Sequence, residues 1–171
     1  RTVQVLVKIK DETVVEPLIN RLKDKDLFVV QKTNEALIEL GEISVQPLIK
    51  ALDDDDKDFK KRVVSILGKI SDERAVYPLI KNLKDENDTV RQEIVLALIK
   101  FRKRALKPLI NSLKDDTCIV REKSAEILGE INDPSALDYL EDVLLDDNSK
   151  VRNCARTAIN KIKKNAVMSL K

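Results

Sequence analysis

The triplet Pro-Leu-Ile occurs four times, at Pro17-Leu18-Ile19, Pro47-Leu48-Ile49, Pro78-Leu79-Ile80 and Pro108-Leu109-Ile110, at steps of 30 or 31 residues. Asp138-Tyr139-Leu140 falls at the next step. Each is followed by a second anchor (Leu22, Leu52, Leu83, Leu113, Leu144) and, two positions later, by an acid (Asp24, Asp54, Asp85, Asp115, Asp146). A unit of this length cannot bury an apolar face by itself. A period held through five units therefore predicts stacked units with one continuous core.

The units read as helical. Only 3 glycines and 5 prolines are present, aromatics are 3% of the chain, and 36% is charged, so the core must come from Ile, Leu, Val and Ala beneath an ion-rich helical surface. The first helix of each unit starts near the proline, whose missing N–H suits a first helical turn. Val76, Leu79, Ile80 and Leu83 then recur at helical spacing. The second helix starts after residues able to cap it: Asp26, Asp58, Asn87 or Asp88, Thr117, and Asn148 or Ser149. Its apolar stripe is Phe59, Val63, Ile66, Leu67 and Ile70 in the second unit, and Val120, Ile127, Leu128 and Ile131 in the fourth. The expected division is a partial unit at 1–11, units at about 12–41, 42–72, 73–102, 103–132 and 133–163, and a partial unit or cap at 164–171. Val5 to Leu18 align with the end of one second helix and the start of the next first helix, and 166–170 resembles 105–109. With no initiator Met, the expectation is a fragment of a longer array; a competing reading takes the partial units as caps.

The pattern AVxPLIxxLxD…VRxxxxxxLGxI resembles the short HEAT-like repeat of the phycobilin-lyase type. Ala75 to Asp85 with Val90-Arg91, and Leu106 to Asp115 with Val120-Arg121, carry it best. The resemblance covers nearly the whole chain and implies an all-α, right-handed α-α superhelix of about five helical hairpins. It also implies a ladder of ion pairs built on the Asp-to-Arg spacing. Asp85/Arg91, Asp115/Arg121 and Asp146/Arg152 keep that spacing, Asp54/Lys60 keeps the charge, and Asp24/Val30 loses it.

The residue inventory argues against catalysis. There is no histidine, which removes the commonest general base and metal ligand. HEAT-like deoxyhypusine hydroxylases carry iron on His-Glu motifs near the positions held here by Gly68-Lys69 and Gly129-Glu130, and glycine cannot ligate. The run Asp53-Asp54-Asp55-Asp56 lacks the glycine and spaced ligands of an EF-hand loop and reads as a solvated turn. Cys118 and Cys154 have no CxxC spacing, so neither a disulfide framework nor a zinc site is expected. No catalytic residue, metal or cofactor is expected. The resemblance itself implies a phycobilin-lyase-like, chromophore-handling activity, but the few aromatics are scattered over different units.

Function is expected on the concave face, which the second helices line in this repeat family. The outward positions there are basic in the second unit (Lys61, Arg62, Ser65, Lys69) and acidic in the fourth (Glu122, Lys123, Glu126, Glu130). A phosphate-tracking groove needs one sign sustained across units, so a nucleic-acid role is the less favoured reading. The net charge of +2, from 32 basic and 30 acidic residues, agrees. The expectation is a non-catalytic scaffold that binds a protein partner through Lys61, Arg62, Lys69, Leu96 and Lys100. No apolar run approaches the roughly 20 residues that span a bilayer, so no membrane role is expected and a cytoplasmic location is.

Overall fold

A computed structural model describes residues 12–168, and the partial unit expected at 1–11 lies outside them. Among the described residues there are ten α-helices and no strand. They form five hairpins: α1 (Val15–Arg21) with α2 (Leu27–Leu40), α3 (Glu42–Lys50) with α4 (Lys57–Ile70), α5 (Val76–Lys81) with α6 (Asp88–Phe101), α7 (Lys103–Ser112) with α8 (Cys118–Ile131), and α9 (Leu137–Asp142) with α10 (Ser149–Met168). The fold is an all-α solenoid. One apolar cluster of Leu, Ile, Val and Ala runs through it, with Phe59 and Phe101 as its aromatic members.

Local chemistry sets the hairpin turns. Asp24, Asp54, Asp85, Asp115 and Asp146 each accept, through Oδ1, the main-chain N–H two residues on, at 2.8–3.0 Å. This side-chain-to-backbone bond shapes the turn by itself, which explains why the acid recurs at a fixed place. Asp26, Asp56, Asn87 and Asn148 then accept from the first free N–H groups of the second helices. Of the expected alternatives Asn87 and Asn148 are the caps rather than Asp88 and Ser149, and one expected cap differs: Asp58 lies inside its helix, two positions past the capping Asp56. Thr117 stands at the cap position of α8 without a side-chain bond.

The prolines fall into two classes. Pro17 and Pro78 are the third residues of α1 and α5, inside the first turn. Pro47 and Pro108 lie in the interior of α3 and α7, which start earlier than the proline rule predicts. The last unit also shifts register. Leu140 is fully buried like Leu79 and Leu109, so Tyr139 occupies the proline place and the step from Pro108 is 31 rather than 30 residues. Val143 there is more buried than Leu144. Where a further unit is expected from 164, α10 continues without a turn to Met168.

These differences belong to one pattern with a period of two hairpins. The second helices α4 and α6 pack along each other, as do α8 and α10, whereas α2 with α4 and α6 with α8 touch much less. The first helices alternate the other way: α1 meets α3 and α5 meets α7, while α3 and α5, or α7 and α9, barely touch. Gly68 and Gly129, 61 residues apart, make the close approaches. A Cβ on either would stand 2.8 Å from the Cβ of Ala97 or Ala158. Ile38 and Ile99 hold the corresponding places at the open steps and keep the helices apart by their volume.

The connections between hairpins alternate too. After the glycine-bearing α4 and α8 the chain passes through left-handed Ser71 and Asn132 into short 3-10 turns at Glu73–Ala75 and Pro134–Ala136. After α2 and α6 it turns directly into the next helix through Gly41 (φ 62, ψ −124) and Arg102 (φ 49, ψ −125).

Candidate interaction surface

Two edges and one face of the solenoid carry its charge. The turns within hairpins form an acidic edge, where cations link neighbouring units. Lys60 Nζ lies 2.5 Å from Asp85 Oδ2, and Arg121 donates to both carboxylate oxygens of Asp146, at 2.7 and 3.0 Å, and to Asp147. Val30 offers no charge, and Lys23 supplies it from the preceding turn, 2.6 Å from Asp54 Oδ2. Within a unit the spacing of six works differently. Arg91, Arg121 and Arg152 donate to the main-chain carbonyls of Asp85, Asp115 and Asp146, tying the turn to its own helix. Arg91 pairs with Asp88 and not with Asp115, and its buried Nε has no partner. The Arg121 guanidinium pulls the Asp146 carboxyl down to about 2.

The second-helix face combines paired and free charges. Lys32 bonds Glu35, Lys61 bonds Asp58, Lys123 bonds Glu126, and Lys161 reaches across to Glu130. Burial opposes the charge on Lys123, yet the hydrogen bond and field of Glu126 outweigh it and raise its pKa. Arg62, expected at the centre of the surface, is half-buried and donates through Nη1 to the carbonyl of Leu22 in the first hairpin. Lys69 and Lys100 are exposed and have no ion pair among the described residues. Between them on α6 stands Leu96, 55% exposed. The Gly68 to Ala97 approach brings α4 and α6 together at this point, so Lys69, Leu96 and Lys100 share one patch.

The opposite edge, formed by the turns between hairpins, joins Lys100 to three cations not expected from the sequence, Arg102, Lys103 and Arg104. Lys100, Arg102, Lys103 and Arg104 line an open trough of about 550 Å³ with Asn132, Asp133 and Pro134 on its far wall. Its sequence signal is a stretch from Ile94 to Lys114 with six cations and no acid.

Among the described residues no three His, Cys, Asp or Glu side chains stand together as a metal site. Burial, with Glu122 and Glu126 nearby, pushes the Cys154 thiol up, away from the reactive thiolate. Among the described residues no helix is long and apolar enough to cross a membrane.

No curated protein matches this chain. Among solved structures it is similar to the complex of CpcE and CpcF of phycocyanin lyase from Nostoc sp. PCC7120. That match has a TM-score of 0.57 at 21% identity, over 86% of this chain and 99% of that one. It is also similar to an engineered protein (TM-score 0.44, 19% identity, 95% and 89% covered) and to a designed armadillo repeat protein (TM-score 0.44, 21% identity, 94% and 85% covered). At these identities the likeness is one of fold. The family profile described as HEAT repeats matches residues 45–118 and 106–170, which take in the four hairpins from α3 to α10 apart from the first residues of α3. With stacked helical hairpins, a shared apolar core and that match over most of its length, the chain belongs to the HEAT-repeat family.

Proposed function

We propose that the protein is a non-catalytic scaffold that holds a protein partner on its second-helix face, centred on Lys61, Lys69, Leu96 and Lys100. Arg62 serves the scaffold through Leu22 rather than the partner. The observation that carries this reading is the patch of Leu96 between two unpaired lysines, on a face where the other cations named above have intramolecular partners. An exposed apolar side chain gains by desolvation when a partner covers it, and charges beside it steer the approach. The HEAT fold offers a long surface of repeated helices, which suits adaptor work.

The test is capture by immobilised protein from source extract, with crosslinking at the bound partner. Leu96→Asp, and separately Lys69→Glu with Lys100→Glu, are expected to abolish capture while thermal unfolding stays unchanged. Undiminished capture by both variants sinks the reading. The phycocyanin lyase likeness makes a bilin test worthwhile, since absorbance in the red on mixing with a free bilin would favour chromophore handling instead.

A further inference from the structure

The turn joining α6 to α7 differs from every other turn on its edge. Lys100, Arg102, Lys103 and Lys107 are exposed and without an ion pair among the described residues. Arg104 is fixed in place by bonds from its guanidinium to the carbonyl and hydroxyl of Ser71. The one acid in the trough, Asp133, already accepts from the main chain and hydroxyl of Ser135. The other troughs are of mixed sign: Glu12, Glu16 and Glu42 with Lys50 and Arg74 in one, and Asp53, Asp55, Asp85 and Glu86 with four lysines in another.

Arg102 adds a second, independent observation. It takes the backbone conformation that Gly41 takes in the equivalent turn, with φ near +50 and ψ near −125. Glycine adopts that conformation without strain and an L side chain does not. A strained position carrying a free, solvent-facing guanidinium inside a trough points to a use for that guanidinium.

We infer that this trough is a docking site for an acidic peptide segment, rich in Asp and Glu, of the scaffold's protein partner. The inference rests on the scaffold reading and adds to it where the partner's carboxylates go. A volume of about 550 Å³ admits a few side chains, and is within the roughly 300–1,000 Å³ of ordinary ligand sites. Arginine offers a carboxylate two parallel donors, and lysines beside it steer the approach. A peptide fits better than a nucleic acid because the positive sign ends with this turn. The preceding turn along the edge carries Asp72 and Glu73 with Arg74, and the following one Asp133 with no cation, so a phosphate backbone would meet acids on both sides.

The probe is a fluorescein-labelled peptide of alternating Glu and Asp, titrated by anisotropy in about 50 mM salt. Saturable binding is expected, weakened about tenfold or more in Arg102→Gly with Lys103→Gln. Because glycine relieves the strain at 102, unfolding cannot account for that loss, and thermal unfolding of the variant checks it. A Lys81→Gln with Lys84→Gln variant, which neutralises cations of the mixed trough, should bind as the parent does. Binding that survives the trough variant, or falls equally in the control variant, overturns the assignment. So does tighter binding of an oligothymidylate of equal charge through the same residues. Should the peptide fail to bind while capture through Leu96 persists, the trough assignment falls and the scaffold reading stands.

Discussion

Arg102 and Gly41 show what one residue decides. Both make the same sharp entry into a first helix, but only glycine does so without a Cβ in the way. Arg102→Gly is expected to stabilise the fold by about 1 kcal/mol, read as a higher urea midpoint at unchanged slope. Asp146 is the titrating counterpart. Its pKa is lowered to about 2 by Arg121 first, so its contribution is complete above the ordinary carboxylate pKa and fades as pH falls toward 2. At pH 7, Asp146→Asn should cost roughly 1–2 kcal/mol, and the gap to the parent in thermal midpoint should close between about pH 4 and pH 2. A gap that is constant over that range would show that the Arg121 bond does not depend on the charge. The place of Asp146 was legible in the sequence because an aspartate recurs in every such turn. Its partner was not, because Arg121 lies 25 residues away in the neighbouring unit and the visible spacing of six leads only to a carbonyl.

At the scale of helices, the two glycines set the spacing. With a Cβ, residue 68 would meet Ala97 at 2.8 Å from Cβ and 3.0 Å from Cα, one of them backbone, so α4 and α6 would have to separate. Gly68→Ala is therefore expected to destabilise by about 1–3 kcal/mol, although alanine favours a helix by about 1 kcal/mol. Adding Ala97→Gly should recover part of the loss, and thermal unfolding of the four-member cycle measures the coupling. Additive losses would show that the approach is not what holds the helices. The amphipathic stripes and most helix ends were readable from apolar spacing and capping residues, which act locally. The doubled period was written there too, in Gly68 and Gly129 against Ile38 and Ile99, but the Pro-Leu-Ile marker repeats in every unit and conceals it. Pro47 and Pro108 fall inside their helices for the same reason: their turns start the helix directly, without a 3-10 step.

The whole molecule is a stack with alternating joints. Close packing moves from the second-helix layer to the first-helix layer at each step, so hairpins α3/α4 and α5/α6 form one block and α7/α8 and α9/α10 another. Stability in such arrays is a sum over units and their nearest-neighbour interfaces. Hydrogen exchange should therefore give α4 and α6 one shared opening free energy, and α8 and α10 another, with the junction between α6 and α8 opening first. A single protection level across all four helices would contradict the alternation. By itself the sequence determined the hairpins, their order and their core, because apolar periodicity, Asx turns and caps act within a few residues. Which charges are spent and which remain free was decided only by the tertiary structure. Ion pairing depends on distances between units, and those are set by where a glycine lets two helices close and an isoleucine holds them apart. Arg62 is thereby turned inward to Leu22, while Lys69, Leu96, Lys100 and the α6 to α7 turn remain exposed.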